Sequence, residues 1–212
     1  MLMSGCCRQR DRIAALALIF GLTVACPALS AEAHPPAPEI PIDRDATILQ
    51  KTTVYAAPSD SAPAVALLRS GVEVRVLAAA EERGWLKIEL PDGKIAFAPS
   101  AAFAPSIIVG HPIVRDTATL VVSQRDIHLF GVHGEGGDLA DGLQHFISDN
   151  GGFVVCERQD EGHYVCTLPA NMDVAMAALL NGAARATTDA PEPYRDQQVR
   201  AQQYKRGIWG EE

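Results

Sequence analysis

Five strand-length runs, each closed by a turn signal, fill the segment from Ala46 to Phe103. They confine it to short paired strands. The runs are Thr53 to Tyr55, Ala66 to Leu68, Val72 to Leu77, Trp85 to Leu90 and Lys94 to Ala98. Within the third, Val72-Glu73-Val74-Arg75-Val76 alternates apolar and polar residues, the period of a strand with one wet and one buried face. Pro91-Asp92-Gly93 joins the last two runs in a tight hairpin turn.

What precedes this segment reads as a leader and a spacer. Arg8, Arg10 and Arg12 form a positive start, Ile13 to Ala25 is apolar but short for a bilayer span, and Ala31-Glu32-Ala33 is a small-residue cleavage site. Residues 1–33 are therefore expected to be a signal peptide, which places the mature chain in the periplasm or outside the cell. Lipoprotein attachment at Cys26 is the alternative, weakened by Thr23 where a Leu would be usual. Residues 34–45 open on His34 to Pro41, half of it proline, and are expected to form an extended linker outside any core.

Removing residues 1–33 leaves 15 basic against 24 acidic residues, a formal charge of −9. Nucleic-acid binders displace counterions with Lys and Arg, so this balance makes nucleic acid an unfavourable partner. No second apolar run approaches membrane-helix length. Of the five cysteines only Cys156 and Cys166 remain, and two cysteines ten positions apart in an exported chain are expected to bond.

After a second boundary at Pro105 to Pro112 the pattern mixes strands with helices. Asp138 is placed to cap a helix whose Leu139, Leu143, Phe146 and Ile147 share one face, and Asn150-Gly151-Gly152 stops it. Phe153 to Cys156 and Tyr164 to Leu168 read as a hairpin. Asn171 is expected to cap a second helix with an apolar stripe of Met172, Ala175, Met176, Leu179 and Leu180, which reads as core packing. Pro193 opens a third helix through Arg206, stopped by Gly207, with Ile208-Trp209 folding back.

Two families are resembled. Tyr55-Ala56-Ala57-Pro58-Ser59, Leu68-Arg69-Ser70-Gly71, Gly84-Trp85-Leu86-Lys87-Ile88 and Leu90-Pro91-Asp92-Gly93-Lys94 follow, in order, the pattern of the bacterial Src-homology-3-like domain. Asp116 to Gly136, DTATLVVSQRDIHLFGVHGEG, resembles the strand-turn-strand of the staphylococcal-nuclease-like (thermonuclease) family, D-G-D-T-L-x-V-x-G-x-x-I-R-L-x-G-I-D-A-P-E. Thr119, Leu120, Val122, Ile127, Leu129, Gly131 and Val132 fall on its framework positions, and Tyr194 to Trp209 resembles its closing segment. Together the resemblances imply a mainly β chain with α (α+β). Residues 46–104 would form a small Src-homology-3-like barrel, and residues 112–212 a five-stranded oligonucleotide-binding-type barrel with about three helices.

The framework is kept and the chemistry is not. In the nuclease family two carboxylates hold calcium, two arginines grip phosphate and a Glu activates water. Here Ala118, His133, His128, His163 and Gly136 stand at those five positions, His163 by the likeness of Gln159-Asp160-Glu161-Gly162-His163 to the family's D-R-Y-G-R hairpin. Calcium wants several oxygen ligands. A permanently charged guanidinium fork differs from an imidazole that is mostly neutral at pH 7. Losing one preorganised charge-stabilising donor costs on the order of a hundredfold in turnover, so a pseudo-nuclease without catalytic residues is expected.

The three histidines admit other chemistry. If the inherited geometry holds, His128, His133 and His163 converge, with Glu135 or Asp160 able to add an oxygen. Imidazoles suit zinc or another transition metal, or one could serve as a general base. Against these stands the plain reading of exposed residues in a pocket under no demand, in which no cofactor is expected. His34 and His111 fall in linkers, and His145 on a wet helix flank. The leading expectation is a non-catalytic exported protein that binds a cell-wall or envelope component, or another protein. A secreted nuclease with an unusual site and a transition-metal binder are the alternatives.

Overall fold

The computed structural model describes residues 39–80 and 84–210, which belong to one compact unit. The expected leader, Cys26 and the first residues of the Pro-rich spacer lie outside them. The described chain is mainly β with three helices, and no described helix is long and apolar enough to cross a membrane.

The five expected strands of the first segment are present as β2 (Thr52–Tyr55), β3 (Ala64–Leu68), β4 (Glu73–Ala80), β5 (Trp85–Glu89) and β6 (Ile95–Pro99). A sixth, β1 (Glu39–Thr47), comes from the stretch expected to be a linker. It pairs with β4, and Ile40 is 1% exposed in the core. Prolines obscured this strand in the sequence, but an edge strand tolerates Pro where no ladder hydrogen bond is needed. Pro41 sits beside a register shift in this edge strand. The sheet order is β1-β4-β5-β6-β2-β3, every neighbour antiparallel.

The second sheet holds β7 (Ile107–Gly110), β8 (Ile113–Asp116), β9 (Thr119–Val122), β10 (Arg125–Leu129), β12 (Val154–Arg158), β13 (His163–Leu168) and β14 (Met172–Asp173). Its order is β7-β12-β13-β10-β9-β8, with β14 on β13 and a single parallel pairing, β10 with β13. A separate ribbon joins β11 (Val132–Gly134) to β15 (Ala184–Ala186). Among the described residues neither large sheet closes on itself, so the expected barrels appear as open sheets.

The expected boundary at Pro105 to Pro112 contains strand β7, which with β12 is buried on both faces. Ile107, Val109, Phe153 and Val155 enter the first sheet's core, while Ile108, Val154 and Cys156 enter the second's. Alternation along a strand sends odd and even residues to opposite faces. This accounts for the unbroken apolar run Phe153-Val154-Val155-Cys156.

The helices sit close to their expected places, with different caps. In α1 (Asp138–Asp149) Asp138 is the first helical residue after Gly137, where φ is 63°. There its carboxylate favours the positive helix end without capping it. In α2 (Val174–Leu180) the cap is Asp173, whose Oδ1 accepts from Met176 N at 3.0 Å. Asn171, φ 59°, forms the turn before β14 instead. Helix α3 (Glu192–Gln203) ends before Arg206, and Gly207–Trp209 makes a 3-10 turn.

That last turn docks through two glycines. A Cβ on Gly182 would lie 2.1 Å from Arg206 O, and one on Gly207 2.2 Å from Gly182 O, both at positive φ. Only hydrogen side chains permit this approach. It lets Ile208 N donate to Gly182 O at 2.9 Å.

Cys156 and Cys166 are directly opposite in the β12–β13 hairpin and form a disulfide, Cα atoms 4.0 Å apart.

Candidate functional site

The five positions are carried by β8 to β11 and the β12–β13 hairpin. Ser123 and Gln124, both at positive φ, turn β9 into β10. Alternation then buries Ile127 and Leu129 and leaves Asp126 and His128 exposed. His128 lies opposite Thr119 on one side and opposite His163 on the other. Its Nδ1 is 3.4 Å from Thr119 Oγ1.

His163 is tied to its own hairpin. Asp160 Oδ1 lies 2.8 Å from His163 Nδ1 and accepts from His163 N at 3.2 Å. One carboxylate oxygen thus orients the imidazole and closes the turn.

His133 stands on β11 opposite Arg185 of β15. The Arg185 Nε donates to Glu135 Oε1 at 3.3 Å, and its guanidinium lies 4.8 Å from the Trp209 ring centre. Nearby, Asp189 is held below the ordinary carboxylate range, first by Thr187 and then by its own amide. Smaller electrostatic contributions from His163 and His133 act in the same direction, against the opposing cost of burial. These two imidazoles and Asp189 therefore share one electrostatic neighbourhood.

Ala118 and Gly136 have no such role. Ala118 N donates to Asp116 Oδ1 at 2.8 Å, its carbonyl accepts from Leu129 N, and its methyl packs on the second core. Gly134 presses close, since a Cβ there would come within 2.4 Å of Ala118 N and 2.8 Å of the Ala118 methyl. Thr117 locks the turn from within, its buried hydroxyl donating to Ala183 O and accepting from Glu135 N. Gly136 is exposed with open space where a side chain would be.

The expected convergence of three histidines is only partial. His128 and His163 are neighbours, and His163 and His133 both act on Asp189. Yet among the described residues no three His, Cys, Asp or Glu side chains group to hold a metal ion. His133 stands on a different ribbon from the strands that carry His128 and His163. Sequence reasoning missed Arg185 and Asp189, because nothing in Ala183-Ala184-Arg185-Ala186 marks a three-residue strand opposite His133.

No protein-family model matches the chain, and no curated protein matches it.

Proposed function

We propose that this chain is an exported binding protein of the cell envelope, pairing a Src-homology-3-like sheet with a nuclease-like sheet that has lost its chemistry. The observation that carries the reading is the composition of the five inherited positions. Ala118, His128, His133, Gly136 and His163 offer no carboxylate and no guanidinium, and the nearby carboxylates already serve turns or ion pairs. The nuclease-like ancestry itself is supported by strand connectivity. A β8-β9-β10 meander joins in parallel to the second strand of a later hairpin, which suits the five-stranded oligonucleotide-binding type.

Digestion of single-stranded DNA and RNA by the purified chain, with calcium and separately with zinc, tests this reading. We expect cleavage at background, together with co-sedimentation of the protein with isolated cell-wall material. Cleavage abolished by His128→Ala or His133→Ala would establish the secreted nuclease instead. Calorimetry with zinc should give no one-equivalent site, and a tight site lost on His133→Ala would establish the metal binder.

A further inference from the structure

Three of the four outer strands of the two large sheets are defended against pairing with another chain. Strand β1 carries Glu39, Asp43, Arg44 and Asp45, a proline and a register shift. Strand β8 is capped by Gln144, whose Oε1 accepts from Val114 N at 2.8 Å and whose Nε2 donates to Pro112 O at 3.4 Å. Strand β7 lies against β9, with Ser123 Oγ donating to Val109 O. Charge, bulges and covering groups are the usual protections of a sheet edge.

Strand β3 has neither the charge nor the cover, and its one irregularity lies in the ladder with β2, where Val54 and Tyr55 face Ala66 and Ala64. Its sequence, Ala64-Val65-Ala66-Leu67-Leu68, is uncharged, contains no proline, and pairs only with β2. Val65 is 38% exposed and Leu67 59%, both on the face away from buried Leu68. Asp60 precedes the strand and Arg69 follows it, and neither takes part in an ion pair among the described residues.

We propose that β3 is the docking edge for a second copy of this chain, the two copies pairing antiparallel along Ala64–Leu68 into one continuous sheet. Symmetry and charge both select that occupant. A two-fold axis between identical antiparallel strands requires some residue to face itself, so odd residues meet odd residues. Exposed Val65 and Leu67 therefore meet the same pair on the other copy, an apolar cross-strand contact of the kind that stabilises sheets. The antiparallel direction also brings Arg69 of each copy to the Asp60 end of the other. Parallel pairing would set like charges together. The contact is small, so association is weak.

Sedimentation velocity on the purified chain, from about 1 to about 500 μM, covers the range of such an interface. A monomer–dimer equilibrium is expected. Leu67→Lys should weaken it at least about tenfold by placing a charge on the edge. Arg69→Asp should weaken it about threefold or more, and Asp60→Arg combined with Arg69→Asp should restore it, as a cross-copy charge pair requires. Hydrogen exchange of the unaltered protein should show the outward β3 amides, those not bonded to β2, protected only at high concentration, which needs no variant to fold. A chain that stays monomeric throughout overturns the proposal, including one that captures an extended peptide on this edge instead. So does a dimer indifferent to Leu67→Lys, or a charge swap that fails to restore pairing. Nuclease and cell-wall assays are independent of these outcomes.

Discussion

The two large sheets use similar short strands but are held together differently. In the six-stranded sheet every ladder is antiparallel and the core cluster is aliphatic apart from Phe103 and Phe153. Beyond its local disulfide, the second sheet depends on distant ties: the parallel β10–β13 pairing, the Thr117 bridge to Ala183, and Tyr194 donating to Asp173 at 2.6 Å. Local hairpins can be read from a few residues of sequence. Cross-links between segments far apart cannot, and there the reading of the chain fell short.

If the halves share a core as well as a chain, the largest effect should come from a residue of one sheet buried in the other. Phe153→Ala removes a ring that is 1% exposed in the first core. It should cost about 3–5 kcal/mol, measured by denaturant unfolding. Loss of both sheets in one transition is expected. Two separated transitions would show that the sheets are independent and break the comparison.

A smaller effect sharpens it. Replacing Cys156 and Cys166 together by Ala opens a bond with a sequence separation of 10, and should cost about 2–3 kcal/mol on a chain-entropy estimate. Amide exchange should accelerate first in β12 and β13. Equal acceleration across β4 and β5 would mean that the bond has no local character.

The smallest effect is expected at Tyr194→Phe, about 1.5 kcal/mol for a hydrogen bond to a carboxylate that still caps α2. The Tyr194 hydroxyl is pushed well above its ordinary value, first by burial and then by the Asp173 charge. A raised folded-state value means that the contribution is complete below the unfolded tyrosine value near 10 and fades as pH rises beyond it. The unaltered protein should therefore lose more stability than Tyr194→Phe when melting is followed above about pH 10. Parallel loss in both would remove Tyr194 from the account.

Strands β2 to β6, the β12–β13 hairpin, three helices and the cysteine pair were legible because period, turn residues and spacing are local properties. Strand β1 was hidden by Pro41 and the prolines that precede it, and β7 by its position between two prolines. The caps shifted because Asp173 and Asn171 both suit a helix start, and the β14 pairing selects between them. At the site, the residue types at 118, 128, 133, 136 and 163 were legible. Their geometry was not, because His133 is placed by Arg185 of a ribbon whose second strand lies some fifty residues downstream.

Strands β7 and β12, each buried on both faces, also set an order of events during synthesis. The first sheet's core lacks Phe153 and Val155 until about fifty residues after Phe103 have left the ribosome, a delay of seconds at about 5–20 residues per second. Throughout that interval the apolar surface of β4 to β6 lacks the part of its cover that β7 and β12 supply. Nascent chains stalled once residue 110 has emerged should bind a hydrophobic dye or a holding chaperone, and chains stalled once residue 170 has emerged should not. Equal binding at both lengths would mean that the first core completes without β12.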